Sequence, residues 1–324
     1  MMSTQNISQS EIPTSFTIVI PTYNEESDIG ITLETLSALD YSNFDVLVID
    51  DSTDSTPELV GKFVDERIKC VRQTRGSGRS AARNQGILVA EGDVVVILNA
   101  DVHLPSDFLI RLDKHYRQGA DYVLVESEVT NIDMLFPRYI QSQHRLYYGP
   151  DTKVNMNWTE GFSCRRSAAI AVGLFPEGRS APLVAGEDGW FGELLETNGC
   201  TRVFDRSIVV GHIMPTETIE FFTQRVGRGQ GVAQIWYQRD NISRIALLLR
   251  TLRQTIFLSS NLIFCIPIAR QSLKLLRHSP RQFNDFIPFL VAAGLESVAN
   301  VIGIWRGLIE AWSDSKIDTQ GDLD

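Results

Sequence analysis

The chain has 324 residues and a formal net charge of −10. Its length allows a large buried core and is long for one compact domain, so we expect a main domain with an appended segment. The negative charge argues against general nucleic-acid binding. The four cysteines, at positions 70, 164, 200 and 265, form no C-x-x-C pair, which predicts reduced thiols rather than a zinc site or a disulfide framework.

The charge is unevenly distributed along the chain. Residues 225–281 carry ten basic residues and one acidic residue, whereas the remainder carries 20 basic and 39 acidic residues. This asymmetry predicts an acidic body and a basic, apolar C-terminal segment that faces an anionic surface. Residues 1–14 are polar, are expected to be disordered, and lack the apolar core of a secretory signal, which favours a cytoplasmic location.

The first part of the chain alternates between strand and helix patterns. Apolar runs predict strands at residues 16–20, 46–49 and 68–72, and amphipathic spacing predicts helices at 29–39 and 57–65. Pro21 is expected to end the first strand, because proline cannot donate to a ladder. Since parallel neighbours need crossovers, the pattern predicts an α/β fold with a mostly parallel, Rossmann-like sheet and flanking helices.

A fourth apolar run, Val94 to Leu98, predicts a strand that is buried on both faces. It ends in Asn99-Ala100-Asp101, at the edge of the sheet where α/β proteins bind ligands. An aspartate placed there can hold a divalent cation against a phosphate. The alternative is an ordinary turn, since Asn and Asp are common turn residues.

The segment Gly76 to Gly86 leads into a helix that carries Arg79 and Arg83 one turn apart. Its two early glycines can cradle a phosphate, but the third glycine of a dinucleotide fingerprint is missing. We therefore expect a phosphate or a base at these arginines rather than a nicotinamide cofactor. The alternative is that both arginines are solvated surface groups.

The loop Pro21 to Glu26, the loop Asp50 to Asp54 and the segment Asn99 to Asp101 occur in the order and spacing of a known family. Together they resemble the family 2 inverting glycosyltransferases, which have the nucleotide-sugar-binding GT-A fold. The resemblance runs from about Ser15 to Gly231. It implies a GT-A domain at 15–231, followed by a helical region at 232–312 and a polar tail at 313–324.

The resemblance implies donor contacts at base and ribose for the first two loops. They fall on Thr22, Tyr23, Glu25 and Asp51. In the family's D-x-D motif, Asp101 takes the position that coordinates Mn²⁺ or Mg²⁺ against the diphosphate. Asn99 departs from the motif and removes one negative charge, although an amide still accepts hydrogen bonds from sugar hydroxyls. His212 matches a metal-binding position of some relatives, and its alternative is a structural histidine.

On the acceptor side, the resemblance places Gly161 where glycine permits close approach of the sugar, with Trp158 stacking on a sugar ring or packing in the core. Asp188 matches the catalytic base of the family, and Glu187 beside it is expected to bind acceptor hydroxyls. The alternative for this acidic pair is stabilisation of a helix dipole.

Gln224 to Gly231 resembles the family's loop that closes over the diphosphate, with Arg225 and Arg228 as the expected clamp on the leaving group. The family's tryptophan after this arginine is missing, because Gly229 follows Arg228. A long polymer channel of the processive type is therefore not expected.

The apolar windows 255–269 and 286–305 raise the question of a membrane. The first is shorter than the roughly 20 residues that a span needs, and the second contains Glu296 and Asn300. We favour interfacial or re-entrant helices over 245–305 that lie on an anionic inner membrane face. The alternative is a helical pair packed on the enzyme or on another protomer.

The resemblance as a whole implies an inverting transferase that moves a sugar from a nucleotide donor, expected to be a UDP-sugar, to a membrane-proximal lipid-linked or glycan acceptor. A polyprenyl-phosphate sugar synthase is the alternative within the same class. A non-catalytic membrane protein that binds a nucleotide sugar is the alternative outside it, and Asn99 is the feature that suggests it.

Overall fold

The computed structural model describes residues 13–150, 152, 157–179 and 181–313. Nearly all of the segment expected to be disordered, 1–14, and of the polar tail, 313–324, lies outside these residues. Within them, the strands are β1 Phe16–Thr22, β2 Phe44–Asp50, β3 Ile68–Arg72, β4 Val94–Ile97, β5 Val102–His103, β6 Tyr122–Val129, β7 Phe162–Arg165 and β8 Arg202–His212.

The described helices are spread along the whole chain. They are α1 Ile29–Ser37, α2 Thr56–Lys62, α3 Gly78–Val89, α4 Phe108–Arg117, α5 Leu135–Tyr148, α6 Arg166–Ala171, α7 Glu187–Thr197, α8 Thr218–Gln238, α9 Arg244–Phe264, α10 Ile266–Leu275 and α11 Phe286–Ser313. Two short 3₁₀ helices, Leu276–His278 and Gln282–Asp285, connect α10 to α11.

In the described part of the chain the strands form one sheet in the order β3-β2-β1-β4-β7-β6-β8-β5. The first four strands pair in parallel, as the alternating pattern predicts. The pairs β4–β7, β6–β7 and β5–β8 are antiparallel. The predicted α/β fold with flanking helices is therefore confirmed, and its sheet is mixed rather than mostly parallel.

Pro21 does not end β1, so that prediction is wrong by two residues. Pro21 and Thr22 continue the register with β2, opposite Ile49 and Asp50. On the other side, β4 pairs only as far as Val19. At Pro21 the backbone N–H position points away from β2, towards β4. Because β4 has already ended there, the missing N–H of Pro21 breaks no ladder bond.

The chain divides into two compact units. Unit 1 consists of Met1–Ser127, Asn157–Phe175 and Phe191–His212, and it contains most of the sheet. Its core is a continuous apolar cluster contributed by the central strands together with α1 and α4. This packing holds the carboxyl ends of β1, β2 and β4 in place, and the loops that follow these strands carry polar side chains.

Unit 2 consists of Glu128–Met156, Pro176–Trp190 and Ile213–Asp324. It contains two apolar clusters, one built around Phe221 and Phe289 and the other around Leu247 and Leu308. A buried ion pair adds to the first cluster, since Arg138 donates from Nε and Nη2 to Asp285 at 2.7 and 2.8 Å. This pair connects α5 to the segment that leads into α11.

The glycine-rich stretch Gln224 to Gly231, expected as a loop, lies inside the continuous helix α8. Its glycines permit close packing instead of flexibility. A Cβ on Gly229 would lie 2.5 Å from the Asn300 carbonyl oxygen, and one on Gly303 would lie 2.1 Å from the Val226 carbonyl oxygen. Helices α8 and α11 therefore approach each other at backbone distance.

The apolar windows of the tail form three helices. Cys265 has a φ of 54°, in the left-handed region, and separates α9 from α10. By length and composition, Gln282–Ser313 qualifies as a membrane span, and the pair Arg244–Phe264 and Ile266–His278 qualifies jointly, with a bend of 81°. One face of α11 is buried against unit 2, so length and composition alone do not assign it to a membrane.

Candidate functional site

The loops after β1 and β2 are joined by side-chain hydrogen bonds. Thr22 Oγ1 donates to the buried Asp50 carboxylate at 2.7 Å, and Asp50 also accepts from Arg72. Asn24, whose φ is 58°, accepts at Oδ1 from the Thr53 backbone N–H at 2.9 Å. These bonds hold the two loops side by side at the carboxyl edge of the sheet.

Asp51 connects this pair of loops to the glycine turn before α3. Its Oδ2 accepts from the Gly76 backbone N–H at 2.8 Å, and its own N–H donates to the Thr22 carbonyl at 3.1 Å. Tyr23 is exposed beside it. The structure thus places Thr22, Tyr23 and Asp51 together, as the motif order predicts.

Glu25 lies in a strongly acidic part of this edge. Burial, and then the charge of Asp101, raise the pKa of Glu25 to about 7 from its ordinary 4.5, and the exposed Arg79 acts in the opposite direction. Glu25, Arg79 and Asp101 are therefore within electrostatic reach of one another. A cation or a donor hydroxyl placed here would favour the ionised form of Glu25.

Arg83 is fully buried and touches the D-x-D segment. Its Nη2 donates to Thr159 Oγ1 at 3.0 Å and to Asn99 Oδ1 at 3.4 Å, and its guanidinium lies 5.3 Å from the centre of the Phe175 ring. Arg79 and Arg83 thus differ in environment although they are one helical turn apart. Arg83 orients Asn99 by donating a hydrogen bond to it, whereas Arg79 is exposed.

Asp101 and His212 meet in unit 1. His212 Nε2 lies 3.2 Å from Asp101 Oδ2, and its Nδ1 lies 3.5 Å from Glu160 Oε1. Asp101 follows β4 and His212 ends β8, and the pairing of Val102 with His212 brings them together. Asp101 Oδ1 is buried and makes no hydrogen bond to any described residue.

This arrangement fits a divalent cation in part. Carboxylate oxygen and imidazole nitrogen are suitable ligands for Mn²⁺, and the unsatisfied Asp101 Oδ1 is a buried acceptor that a cation would satisfy. However, no described group of three or more His, Cys, Asp and Glu side chains is arranged to hold a metal by itself. The remaining ligands would have to be oxygens from a bound diphosphate or water.

Trp158 and Gly161 lie on either side of Thr159 and Glu160 in unit 1. The indole of Trp158 is buried, donates from Nε1 to the Val125 carbonyl at 3.0 Å, and packs edge-on against Phe204. Trp158 therefore packs in the core, which was the alternative to stacking on a sugar ring. Gly161 has a φ of 73°, and a Cβ there would press on Val125 and Val210 at 3.0 and 3.1 Å.

In unit 2, Glu187 and Asp188 form the first turn of α7. Glu187 is buried, whereas Asp188 is partly exposed and accepts at Oδ1 from the Gly189 N–H at 2.7 Å. Burial raises the pKa of the Tyr148 hydroxyl; the charge of Arg228 opposes this rise, and the charge of Asp188 adds to it. Asp188 and Arg228 are therefore within electrostatic reach of the Tyr148 hydroxyl.

Arg225 and Arg228 are three residues apart on α8 and have different surroundings. Arg228 is exposed, whereas Arg225 is fully buried, with its Nε 3.4 Å from Glu296 and its guanidinium 4.9 Å from the centre of the Phe221 ring. Burial, and then repulsion by Arg228, lower the pKa of Arg225 to about 10. A direct contact of Arg225 with a ligand would require α8 to move away from Glu296.

Sequence reasoning missed three residues that the structure adds to these groups. Glu160 and Thr159 contact His212 and Arg83, and Tyr148 lies close to Asp188 and Arg228. Glu160 was detectable as an acidic neighbour of Gly161. Tyr148 carried no signal, because the segment around it has no clear period.

The geometry can be compared with known proteins. The model of the family described as "Glycosyl transferase family 2" matches residues 17–177, which include the β1, β2 and β4 loops and the arginines of α3. Over these residues the chain belongs to glycosyl transferase family 2.

Among curated family members, an amylovoran biosynthesis glycosyltransferase of Erwinia amylovora is 38% identical over 36% of this chain and 42% of its own length. A dolichol-phosphate mannosyltransferase of Pyrococcus furiosus is 29% identical over 33% of this chain and 31% of its own. A glucosyltransferase of Escherichia coli that acts on GlcNAc-diphosphoundecaprenol with UDP-Glc is 25% identical over 40% of this chain and 52% of its own. The chain thus spans about a third to a half of these relatives.

Solved structures of other proteins share the fold over nearly the whole chain. A mannosyltransferase from Pyrobaculum calidifontis, in complex with GDP-Man and Mn²⁺, superposes with a TM-score of 0.54 at 18% identity and covers 94% of this chain and 77% of its own. S. aureus TarS residues 1–349 with UDP-GlcNAc give 0.51 at 16% identity, covering 90% and 91%. At these identities the likeness concerns the fold, and it confirms the GT-A architecture.

Proposed function

We propose that this protein is an inverting glycosyltransferase that moves a sugar from a nucleotide-sugar donor to a membrane-proximal acceptor. The observation that carries the proposal is the polar edge of unit 1: the β1 and β2 loops and the Asn99-to-Asp101 segment follow parallel strands, and His212 at the end of β8 contacts Asp101. In α/β sheets this edge is where phosphate-bearing ligands bind. Membership of the family agrees with this assignment.

In this proposal unit 1 binds the donor. Thr22, Tyr23, Glu25 and Asp51 surround the base and ribose, and Arg79 contacts the phosphates. Asn99, oriented by Arg83, accepts hydrogen bonds from hydroxyl groups of the donor. Asp101 and His212 would hold Mn²⁺ or Mg²⁺, and the ion would supply positive charge beside the diphosphate.

Unit 2 supplies the base in this proposal. Inversion requires a group that removes the proton of the acceptor hydroxyl while the nucleoside diphosphate leaves from the opposite side. Asp188 is partly exposed and fits this role, and the buried Glu187 fits acceptor positioning better than proton transfer. Arg228 is exposed near Asp188 and can stabilise negative charge. The buried Arg225 holds α8 in position through its ion pair with Glu296.

The donor and the acceptor are inferred by analogy. Relatives named for UDP-Glc and diphosphoundecaprenol and for dolichol phosphate favour a UDP-sugar donor and a lipid-linked acceptor. We propose UDP as the nucleotide and the inner face of the membrane as the location. The exposed apolar residues and exposed cations of α9 and α10 support a peripheral or re-entrant association.

The base assignment is tested by Asp188→Asn. Without a carboxylate the acceptor hydroxyl keeps its proton, so we expect turnover to fall by about 10²- to 10⁴-fold, the range typical of general bases. Nucleotide affinity in the same variant should stay close to that of the wild type, because the proposal gives Asp188 a contact with the acceptor hydroxyl and none with the nucleotide. The measurement is sugar transfer together with calorimetric titration of UDP. Full turnover in the variant would remove Asp188 from this role.

The donor site is tested by Asp101→Ala. We expect UDP or GDP to bind the wild type more tightly with Mn²⁺ than without, and we expect this metal dependence to disappear in the variant. The measurement is a titration with each nucleotide, in the presence and absence of Mn²⁺. Nucleotide binding that is equally metal-dependent in Asp101→Ala would place the metal elsewhere.

A polyprenyl-phosphate sugar synthase is the second candidate, and the dolichol-phosphate relative favours it. A phosphate acceptor is already ionised near neutral pH and needs no general base. Asp188→Asn that loses transfer to hydroxyl acceptors but keeps transfer to polyprenyl phosphate would identify this activity.

A further inference from the structure

A cavity of about 390 Å³ lies within unit 2, enclosed by α5, α9, α10 and α11. Its volume is in the range of sites that bind small ligands, about 300 to 1,000 Å³. It lies at the bend between α9 and α10, where Phe257, Asn261 and Ile268 contribute to its wall. None of the donor or acceptor residues discussed above lines this cavity.

The polar part of the cavity consists of hydrogen-bonding groups that are mostly uncharged. Tyr139 and Gln143 donate to Glu296 Oε2 at 2.7 and 2.8 Å, and Asn261 and Ser297 add an amide and a hydroxyl group. Amide and hydroxyl groups both donate and accept, so they match the hydroxyl groups of a sugar or a glycerol.

The charge of the cavity selects against anions. Glu296 is the charged residue among those that line it, its carboxylate is paired with Arg225, and no lining residue offers a cation to an anionic head group. Arg225 approaches Glu296 from outside the lining at 3.4 Å and is fully buried, so it offers no exposed cation to a phosphate in the cavity. An uncharged, hydroxyl-bearing group fits these surroundings better than a phosphate does.

The surroundings of the cavity are apolar and exposed. Phe257 lines the cavity and is also exposed, and Ile263 and Phe264 at the end of α9 are 76% and 67% exposed. Ile266, the first residue of α10, is exposed as well. A ligand with both a hydroxylated head and an apolar chain would cover this surface, whereas a free sugar would leave it in water.

We propose that this cavity binds the uncharged, hydroxyl-bearing head group of a membrane lipid, with the lipid chain lying along the exposed apolar residues of the α9–α10 bend. This lipid is distinct from the acceptor of the transfer reaction. It would fix unit 2 to the membrane at one defined point, in addition to any electrostatic attraction by the basic residues.

The probes are octyl glucoside below its micelle concentration, methyl glucoside and octyl phosphate, each titrated into the full chain by calorimetry. We expect octyl glucoside to bind and methyl glucoside to bind at least about 100-fold more weakly, because the chain supplies apolar burial. Octyl phosphate should bind at least about tenfold more weakly than octyl glucoside, because burying a phosphate in a cavity without a lining cation is costly. Equal affinity for octyl phosphate and octyl glucoside would overturn the proposal.

Ser297→Phe fills the cavity from α11, and Val298→Phe makes the same change at the neighbouring exposed residue. We expect Ser297→Phe to weaken octyl glucoside binding at least about tenfold and Val298→Phe to change it by less than about twofold. Equal binding by both variants would mean adsorption to the apolar surface and would refute a specific site.

Asn261→Leu is a second, milder variant that keeps the cavity open. Loss of one neutral hydrogen bond should weaken octyl glucoside about two- to tenfold and leave octyl phosphate unchanged. A variant that binds octyl glucoside as tightly as the wild type would contradict the proposed contact. UDP titration of the same samples is an independent measurement, so failure of the lipid site and failure of the transferase proposal give different results.

Discussion

Glu25 is the carboxyl group of the candidate donor site whose pKa departs most clearly from its ordinary value. Burial and the negative charge of Asp101 raise this pKa to about 7, so the fold disfavours the ionised form. An unfolded chain has the ordinary value of 4.5 and binds fewer protons than the folded chain between these two pH values. Stability contributed by protonated Glu25 is therefore present at low pH and is lost as pH rises from about 4.5 through 7.

Glu25→Gln removes this titration and preserves the shape of the side chain. We expect the thermal midpoint of the metal-free variant to exceed that of the wild type at pH 8 and to equal it at pH 4.5. Added Mn²⁺ with UDP should reduce the difference by supplying a positive charge at this edge. The measurement is a series of thermal denaturation curves between pH 4.5 and 8. A difference that does not vary with pH would refute the raised pKa.

At the scale of single residues, sequence reasoning predicted which side chains collect at the sheet edge but not how they are held. The positions of Thr22, Asp51 and Asp101 follow from strands that end in polar residues. Arg79 and Arg83 share a helix face in the sequence, yet only Arg83 is fully buried. Burial of this kind depends on Thr159 and Phe175, which are distant in sequence, and no local pattern reports it.

At the scale of elements, the contact between α8 and α11 depends on glycines. A Cβ on Gly303 would overlap the Val226 carbonyl, whereas a Cβ on Gly294 of the same helix would meet Leu262 at an ordinary 3.8 Å. Gly303→Ala and Gly294→Ala are thus the same substitution in one helix, but the added methyl group would be crowded at position 303 and has room at position 294.

Gly303→Ala should destabilise the protein by about 1–3 kcal/mol, the usual cost of forcing extra atoms into a packed contact. Gly294→Ala should stabilise it by about 0.5–1 kcal/mol, because alanine favours the helix. Parallel urea or thermal denaturation of both variants measures the difference. Two variants of equal stability would argue against a backbone contact between α8 and α11.

This helix pair also explains the main error of the sequence interpretation. Three glycines within Gly227 to Gly231 were expected to form a loop, since glycine is a poor helix former. The structure has a continuous helix there, because the Gly229 position adjoins Asn300 at backbone distance. Tertiary packing with residues about 70 positions away overrode the local propensity, and such packing is invisible in a single sequence.

At the scale of the whole molecule, the basic residues of α10 and of the 3₁₀ helix that follows it bear on membrane attraction. Arg270, Lys274 and Arg277 are exposed and follow one another at helical spacing, with Leu273 also exposed. The chain as a whole carries a net charge of −10, so an anionic surface would repel most of it. Attraction to an anionic membrane must therefore come from this local cluster.

Replacing Arg270, Lys274 and Arg277 by glutamine should weaken binding to anionic vesicles by about 100-fold, since each cation contributes about 1 kcal/mol near such a surface. The matched control replaces Lys62, Lys69 and Lys114, exposed lysines of unit 1. Co-sedimentation with vesicles of phosphatidylglycerol and phosphatidylcholine, at low and high salt, measures both. Equal losses of vesicle binding in the two triple variants would mean that net charge, and not the position of the three cations, determines the binding.

The α/β alternation, the α/β class and the order of the sheet-edge loops were predictable, because each follows from short-range periodicity. Of the antiparallel strands, β5 and β7 were harder to predict than β8, since β5 has two residues and β7 has four. The placement of Asp101 beside His212 depends on pairing across these strands. Sequence reasoning suggested both residues from a family resemblance, whereas their contact required the fold.

The glycine contact between α8 and α11 also has a consequence for biosynthesis. Helix α8 ends at Gln238 and α11 ends at Ser313, so roughly 75 further residues must leave the ribosome before the two helices can meet along their full length. At typical translation rates this takes about 4 to 15 s. During that time the Gly229 position of α8 lacks its α11 neighbour, and a ribosome-bound chain stalled before Phe286 should be cleaved by protease in α8 while the sheet of unit 1 resists.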